Sequence, residues 1–131
     1  MGAIKIYHAA YFNDRLNFSF KCHRDEKPTP NVYPVNSLAF HPTYGTFSSA
    51  GGDGTYYFWD KDSKQRLKSS AQVGGPITAS TFNRNGSIFA YSVGYDWHKG
   101  VEGAQPNMKY EIYLNPTKDE DIKPKPKGTK R

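Results

Sequence analysis

Apolar and polar residues alternate in short runs along this chain, and each run ends on turn residues. Ile4 and Ile6 fall on one face of AIKIYH (3–8), and Phe18, Phe20 and Cys22 on one face of NFSFKCH (17–23), the period of two that a half-buried strand requires. RDEKPTPNVYP (24–34) is charged and contains proline, and reads as a loop. Four runs then follow in close order, VNSLAF (35–40), TFSSAG (46–51), TYYFWD (55–60) and RLKSSAQ (66–72), with HPTYG, GDG and KDSKQ between them. No window of about 11 to 18 residues carries the 3.6-residue apolar period of an amphipathic helix. The pattern predicts an all-β chain whose short antiparallel strands form a meander.

The meander repeats. ITASTFNRNGSIFAYS (77–92) matches VNSLAFHPTYGTFSSA in its small residues, its Phe and its Gly turn: Phe40 and Phe82 stand 42 apart, Gly45 and Gly86 41 apart. A four-stranded unit recurring at about 40 to 45 residues is the signature of a WD-type β-propeller blade. The third strand of the complete blade ends on Trp59-Asp60; Tyr7-His8 in AIKIYH and Tyr113-Leu114 in KYEIYL (109–114) read as worn counterparts. The chain then comprises the end of one blade (1–23), a loop (24–34), a complete blade (35–72), a degenerate final blade (73–114) and a basic disordered tail (115–131), about two and a half to three blades. A closed propeller has about 4 to 8, so missing blades or a partner chain would be needed to cover the open edges.

Composition narrows the class. At 131 residues there is room for one domain with a core, and aromatic residues at 15% with 12 Gly and 9 Pro suit strands and turns. The net charge of +6 is compatible with RNA, an acidic peptide or a membrane surface as partner, and equally with a solvated lysine tail. One cysteine excludes an internal disulfide; no apolar run is long enough to span a bilayer, and no secretory signal pattern opens the chain. The expectation is a soluble, intracellular protein without membrane insertion.

Three kinds of chemistry are weighed on the residues. Ser49, His23 and Asp53 are the residue types of a hydrolytic triad, but no nucleophile-elbow sequence surrounds Ser49. In a WD blade the same types, with Trp59, form a buried hydrogen-bonded set that ties strands together, so His23, Ser49, Asp53 and Trp59 are assigned that structural role and no enzyme is expected. Cys22-His23 lacks a second cysteine at zinc spacing, and Asp53 to Asp60 lacks the ordered carboxylates of a calcium loop, so no metal and no cofactor are expected. Gly51, Gly52 and Gly54 fit no phosphate cradle and are assigned to a left-handed turn. Asp96 falls two positions late for the next blade's turn and precedes Trp97, leaving WHKGVEGAQPN as a loop free to face a partner.

Basic residues remain. Lys61, Lys64, Arg66 and Lys68 crowd the segment after Trp59, and Lys21 and Arg24 flank Cys22-His23. If the outer strands lie side by side, these cations and the rings of Phe18 and Phe20 form a surface for stacking bases or clamping an acidic peptide; the competing reading is an edge guarded by lysines. IKPKPKGTKR (122–131) alternates Lys and Pro and reads as an extended, disordered basic arm.

NFSFKCHR, YPVNSLAFHPTYGTFSSAGGDGTYYFWDKD, RLK and IFAYSVGYDWHKG together resemble the carboxy-terminal part of the WD-repeat messenger-RNA export factors that dock on the nuclear pore. FKCHR and NSLAFHPTYGTF are shared with the related mitotic checkpoint propellers, which bind kinase-derived peptides; FWDKD and YDWHKG favour the export factors. The resemblance implies a seven-bladed, non-enzymatic propeller at the nuclear envelope, shuttling to the cytoplasm, that binds a nucleoporin peptide segment next to Phe-Gly repeats. It implies a rim for acidic peptides, in competition with RNA, at Phe18, Phe20, Trp59, Asp60, Lys61, Lys64 and Arg66. Lys64 stands where the family usually has Arg, and Gly2 where a basic residue is usual.

Overall fold

The structure, a computed structural model, describes residues 3–6 and 17–126. Its strands form three antiparallel sheets, the blades that the repeat predicts. The first pairs β1 (Ala3–Ile6) with β2 (Phe18–Lys21); the second runs β3 (Val35–Phe40), β4 (Phe47–Gly51), β5 (Tyr56–Asp60) and β6 (Gln65–Ser69) in order; the third runs β7 (Ile77–Phe82), β8 (Ile88–Val93) and β9 (Glu111–Pro116). Tyr7, His8 and Gly2, singled out in the sequence, lie outside the described residues.

The repeat is visible in the hydrogen-bond register. Phe40 faces Phe47 and Phe82 faces Phe89; both hairpins carry a bulge, between Val35 and Ser37 in one and between Ile77 and Ala79 in the other. Every one of these positions is shifted by 42, so the two hairpins are copies in pairing as well as in sequence. Both turns pass through a glycine with left-handed backbone, Gly45 (φ 67) and Gly86 (φ 75), the conformation a residue without Cβ adopts at least cost.

Register also corrects the expected counterpart of Trp59-Asp60. Trp59 lies opposite Phe47, and the residue opposite Phe89 is Asn115. Asn115-Pro116 therefore occupies the place assigned to Tyr113-Leu114; Tyr113, opposite Tyr91, corresponds to Tyr57, opposite Ser49.

Strand alternation in β5 divides the core. Tyr56 and Phe58 pack with Ala50, Ile77, Phe89 and Ile122 between the second and third sheets, whereas Trp59 packs with Phe20 and Val35 around Ile4, Cys22 and Phe47 between the first and second. Polar ties reinforce the apolar contacts: Ser37 Oγ and Ser80 Oγ are 2.7 Å apart, and Asn36 donates to the Ile77 carbonyl at 3.0 Å. His41, 5% exposed, lies 3.1 Å from the Gly86 carbonyl through Nε2, while its Nδ1 accepts from the amides of Thr43 and Tyr44.

The expected disordered tail is a second correction. A short helix, α1 (Asp119–Ile122), follows β9, and Ile122 is 1% exposed in the core beside Tyr56 and Phe58. Thr46 Oγ1 donates to the Ile122 carbonyl at 2.7 Å, and Lys68 pairs with Asp121 at 2.8 Å. One apolar side chain seated in a pocket and a satisfied carbonyl are enough to hold a segment whose composition favours disorder. Residues 127–131 of the arm lie outside the described residues.

Two outcomes follow from this packing. Truncating Ile122→Ala leaves a hole in the core and is expected to cost about 2 to 5 kcal/mol in chemical denaturation. Ile112 and Leu114, 77% and 68% exposed on β9, form an uncovered apolar strip; Ile112→Lys with Leu114→Lys is expected to reduce light-scattering self-association with stability changed by less than about 0.5 kcal/mol per site.

Candidate functional site

The structure brings His23, Ser49, Asp53 and Trp59 together from four segments. His23 comes from the connection after β2, Ser49 from β4, Asp53 from the turn that follows, and Trp59 from β5. His23 Nδ1 is 2.8 Å from Asp53 Oδ1, His23 Nε2 is 3.0 Å from Ser49 Oγ, and Trp59 Nε1 donates to the same Oγ at 2.8 Å. Asp53 only accepts when ionised, so Nδ1 carries a proton; Nε2 can then accept the Ser49 hydroxyl proton, and every polar atom is satisfied. Ser49 is fully buried, which leaves its hydroxyl out of reach of any substrate.

Two neighbours complete this set, one of which, Thr55, has no signal of its own in the sequence. Thr55 donates to Asp53 through its hydroxyl, at 2.7 Å, and through its amide, at 3.2 Å. Burial alone would raise the Asp53 carboxyl, but the hydrogen bonds from His23 and Thr55 outweigh it and hold the group below the ordinary carboxylate value. Gly51 is the other neighbour: a Cβ there would stand 2.6 Å from His23 Nδ1 and 2.8 Å from the Pro34 carbonyl. Of the three glycines assigned to a left-handed turn, only Gly54 (φ 75) adopts that backbone; Gly51 serves close approach.

Trp59 also begins a surface. Its ring lies 4.6 Å from Phe20, Phe20 stacks on Phe18 at 5.9 Å, and Lys64 Nζ sits 5.2 Å from the Phe18 ring centre. A second ladder runs from Trp59 to Tyr57 at 5.5 Å and on to the Arg66 guanidinium at 5.8 Å. Each ladder therefore ends in a cation over a ring face, the arrangement of a cation–π contact. Tyr57 was missed in the sequence, although period-two alternation places it on the same side of β5 as Trp59. Lys61 follows Asp60 in the β5–β6 turn and pairs with the adjacent Asp62 at 3.2 Å.

Asp60 departs from its assignment to the rim. It alternates with Tyr56 and Phe58, is 2% exposed, and accepts from the Asp62 amide at 3.0 Å, the Ser63 hydroxyl at 2.7 Å and the Lys125 amide at 3.2 Å. Burial would raise its carboxyl, yet these donors bring it below the ordinary value. It organises the β5–β6 turn from within and presents no free carboxylate to a ligand.

The loop after β8 is tied down at its start as well. Asp96 accepts from Asn36 at 3.2 Å and meets His98; burial opposes its ionisation, and the Asn36 and His98 hydrogen bonds outweigh that and hold the carboxyl low. Beyond it, Trp97 and Val101 are 60% and 74% exposed. Among the described residues, no group of three or more His, Cys, Asp or Glu is placed to hold a metal ion, and burial pushes the Cys22 thiol up to about 11, far from the reactive thiolate range.

No protein-family model matches the chain. It is 49% identical over 132 residues to the mRNA export factor GLE2 of Chaetomium thermophilum, a match covering 99% of this chain and 37% of that protein. It is 56% identical over 116 residues to the Poly(A)+ RNA export protein of Schizosaccharomyces pombe, covering 88% of this chain and 33% of that one. A third relative, the WD40 repeat protein poxJ of Penicillium oxalicum, is 52% identical over 113 residues, 84% of this chain and 33% of its own length. The chain thus spans about a third of the length of the curated relatives it matches.

The Asp53 geometry sets a pH dependence. A folded-state value below the unfolded one means that the contribution is complete above the ordinary carboxylate range, about pH 4, and is lost as pH falls through the folded value. Asp53→Asn is expected to cost about 1 to 3 kcal/mol at neutral pH and to flatten, without abolishing, the acid arm of a stability–pH profile, since Asp60 and Asp96 act with the same sign. A variant whose acid arm matches the parent's would refute this assignment.

Proposed function

The chain belongs to the Rae1/Gle2 family of WD-repeat mRNA export factors, and from that premise we propose that it serves mRNA export as a non-enzymatic binding module. Its rim, made by Phe18, Phe20, Trp59, Lys61, Lys64 and Arg66, takes an acidic nucleoporin segment next to Phe-Gly repeats at the nuclear pore, and RNA competes for the same surface. The observation that carries this reading is the pair of cation-capped aromatic ladders. Carboxylates or phosphates meet Lys61, Lys64 and Arg66, Arg66 with a fork that grips two oxygens at once, while the half-buried rings of Phe18, Phe20 and Trp59 offer their remaining surface to bases or to phenylalanine.

A backbone outlier supports the assignment. Lys64 holds left-handed backbone at φ 58, a conformation that costs an ordinary side chain about 1 kcal/mol and that Gly or Asn adopts more readily. Folding alone gives no reason to place lysine there; a cation held over Phe18 at a binding surface does.

Binding and stability are expected to separate at this rim. Lys64→Asn should leave thermal stability unchanged or raised while weakening capture of an acidic nucleoporin peptide. Lys61→Glu with Arg66→Glu should weaken both peptide and RNA and lower the salt slope for RNA by about 0.7 for each phosphate no longer neutralised, read by fluorescence anisotropy across a salt series. Unchanged affinities and slope in the double variant would remove the rim from the function.

A further inference from the structure

We propose that the segment after β9 is a strap that carries a second row of cations onto the rim, so that the two basic features of the chain form one surface for single-stranded RNA; this rests on the rim reading above. The strap is anchored at points that contribute nothing to charge recognition. The Thr117 amide donates to the Ser87 carbonyl at 2.8 Å, Ile122 is buried in the core, and its carbonyl accepts from Thr46. The next attachment is Lys125, whose amide donates to Asp60 Oδ2 at 3.2 Å. That carboxylate also holds the Asp62 amide and the Ser63 hydroxyl, within the turn that presents Lys61 and Lys64. One buried carboxylate therefore fixes both basic segments side by side.

The local sequence keeps the strap's cations outward. Pro124 and Pro126 flank Lys125, and proline lacks the N–H that a helix or ladder would use, so the backbone runs extended. Lys123 and Lys125 are exposed, and no ion pair involves either among the described residues. Lysine is a point charge on a flexible stem, suited to phosphates that vary in position, whereas paired recognition of carboxylates favours arginine. A row of cations matches the phosphates of a single strand, whose bases can then reach the half-buried rings of the rim.

The test is made in the full chain with two probes, a labelled oligouridylate and a labelled polyglutamate peptide, by fluorescence anisotropy over a salt series. Lys123→Glu with Lys125→Glu is expected to weaken the oligouridylate about tenfold or more at low salt and to lower its salt slope by about 1.4, two phosphates at about 0.7 each, with polyglutamate affected far less. Lys99→Glu with Lys109→Glu, the same charge change on the last blade, is expected to leave both probes nearly unaltered. Unchanged oligouridylate binding in the strap variant, an equal loss in the last-blade variant, or a larger loss for polyglutamate would each overturn the proposal, the last by assigning the strap to an acidic peptide. Lys61→Glu with Arg66→Glu runs in parallel: if it weakens binding and the strap variant does not, the strap fails and the rim stands. If it has no effect, the rim reading fails and the single surface with it.

Discussion

The hydroxyl of Ser49 is the point on which the rest of this structure depends. It accepts the Trp59 indole N–H and meets His23, which in turn holds Asp53, so one buried oxygen joins the connection after the first blade to the middle strands of the second. A buried network of this kind stabilises only when every member is satisfied, because an unpaired polar atom in a dry interior costs about 1 to 3 kcal/mol. Thr55 supplies the remaining donors to Asp53 and Gly51 supplies the space. The consequence reaches the surface: with its indole nitrogen fixed, Trp59 cannot turn away, and the rings of Phe20 and Tyr57 pack against a rigid plane.

β5 then separates two tasks by alternation. Tyr56, Phe58 and Asp60 point toward the last blade and the strap; Tyr57 and Trp59 point toward the first blade and the cation-capped ladders. The buried carboxylate of Asp60 would be a liability in an apolar layer without three donors around it. With them it becomes the post to which the basic turn and the strap are both fastened. The surface we assign to ligand binding is thus built on an interior that carries no exposed negative charge at Asp60.

Much of this was legible in the sequence, and the failures have physical causes. The hairpin repeat was readable because both copies keep length and small residues in place and turn through a glycine displaced by only one position. The slip from Asn115-Pro116 to Tyr113-Leu114 came from a shift of two residues, which preserves the in-and-out pattern of a strand, so alternation cannot detect it once a long loop intervenes. Asp60 was misplaced because its neighbours, Trp59 and Lys61, look outward; its parity with Tyr56 and Phe58 carried the contrary signal. The strap was hidden because its one apolar anchor is an isoleucine between an acidic turn and a Lys-Pro run, further ties are hydrogen bonds made by its backbone, and one buried side chain leaves no periodicity. Tyr57 and Thr55 lay within the stretch already singled out, and their roles emerge only when β4 and β5 are seen in register.

The central claim is that one tryptophan both locks the blades and opens the binding surface, and the chain contains its own control. It has two tryptophans: the Trp59 indole N–H is bonded to Ser49, and Trp97 is 60% exposed. The most direct measurement follows the two indole N–H resonances by NMR, first in hydrogen–deuterium exchange and then during titration with oligouridylate. Slow exchange is expected at Trp59 and fast exchange at Trp97, with ligand shifting the Trp59 resonance and leaving Trp97 in place. Equal exchange rates would contradict the lock, and a shift confined to Trp97 would contradict the surface.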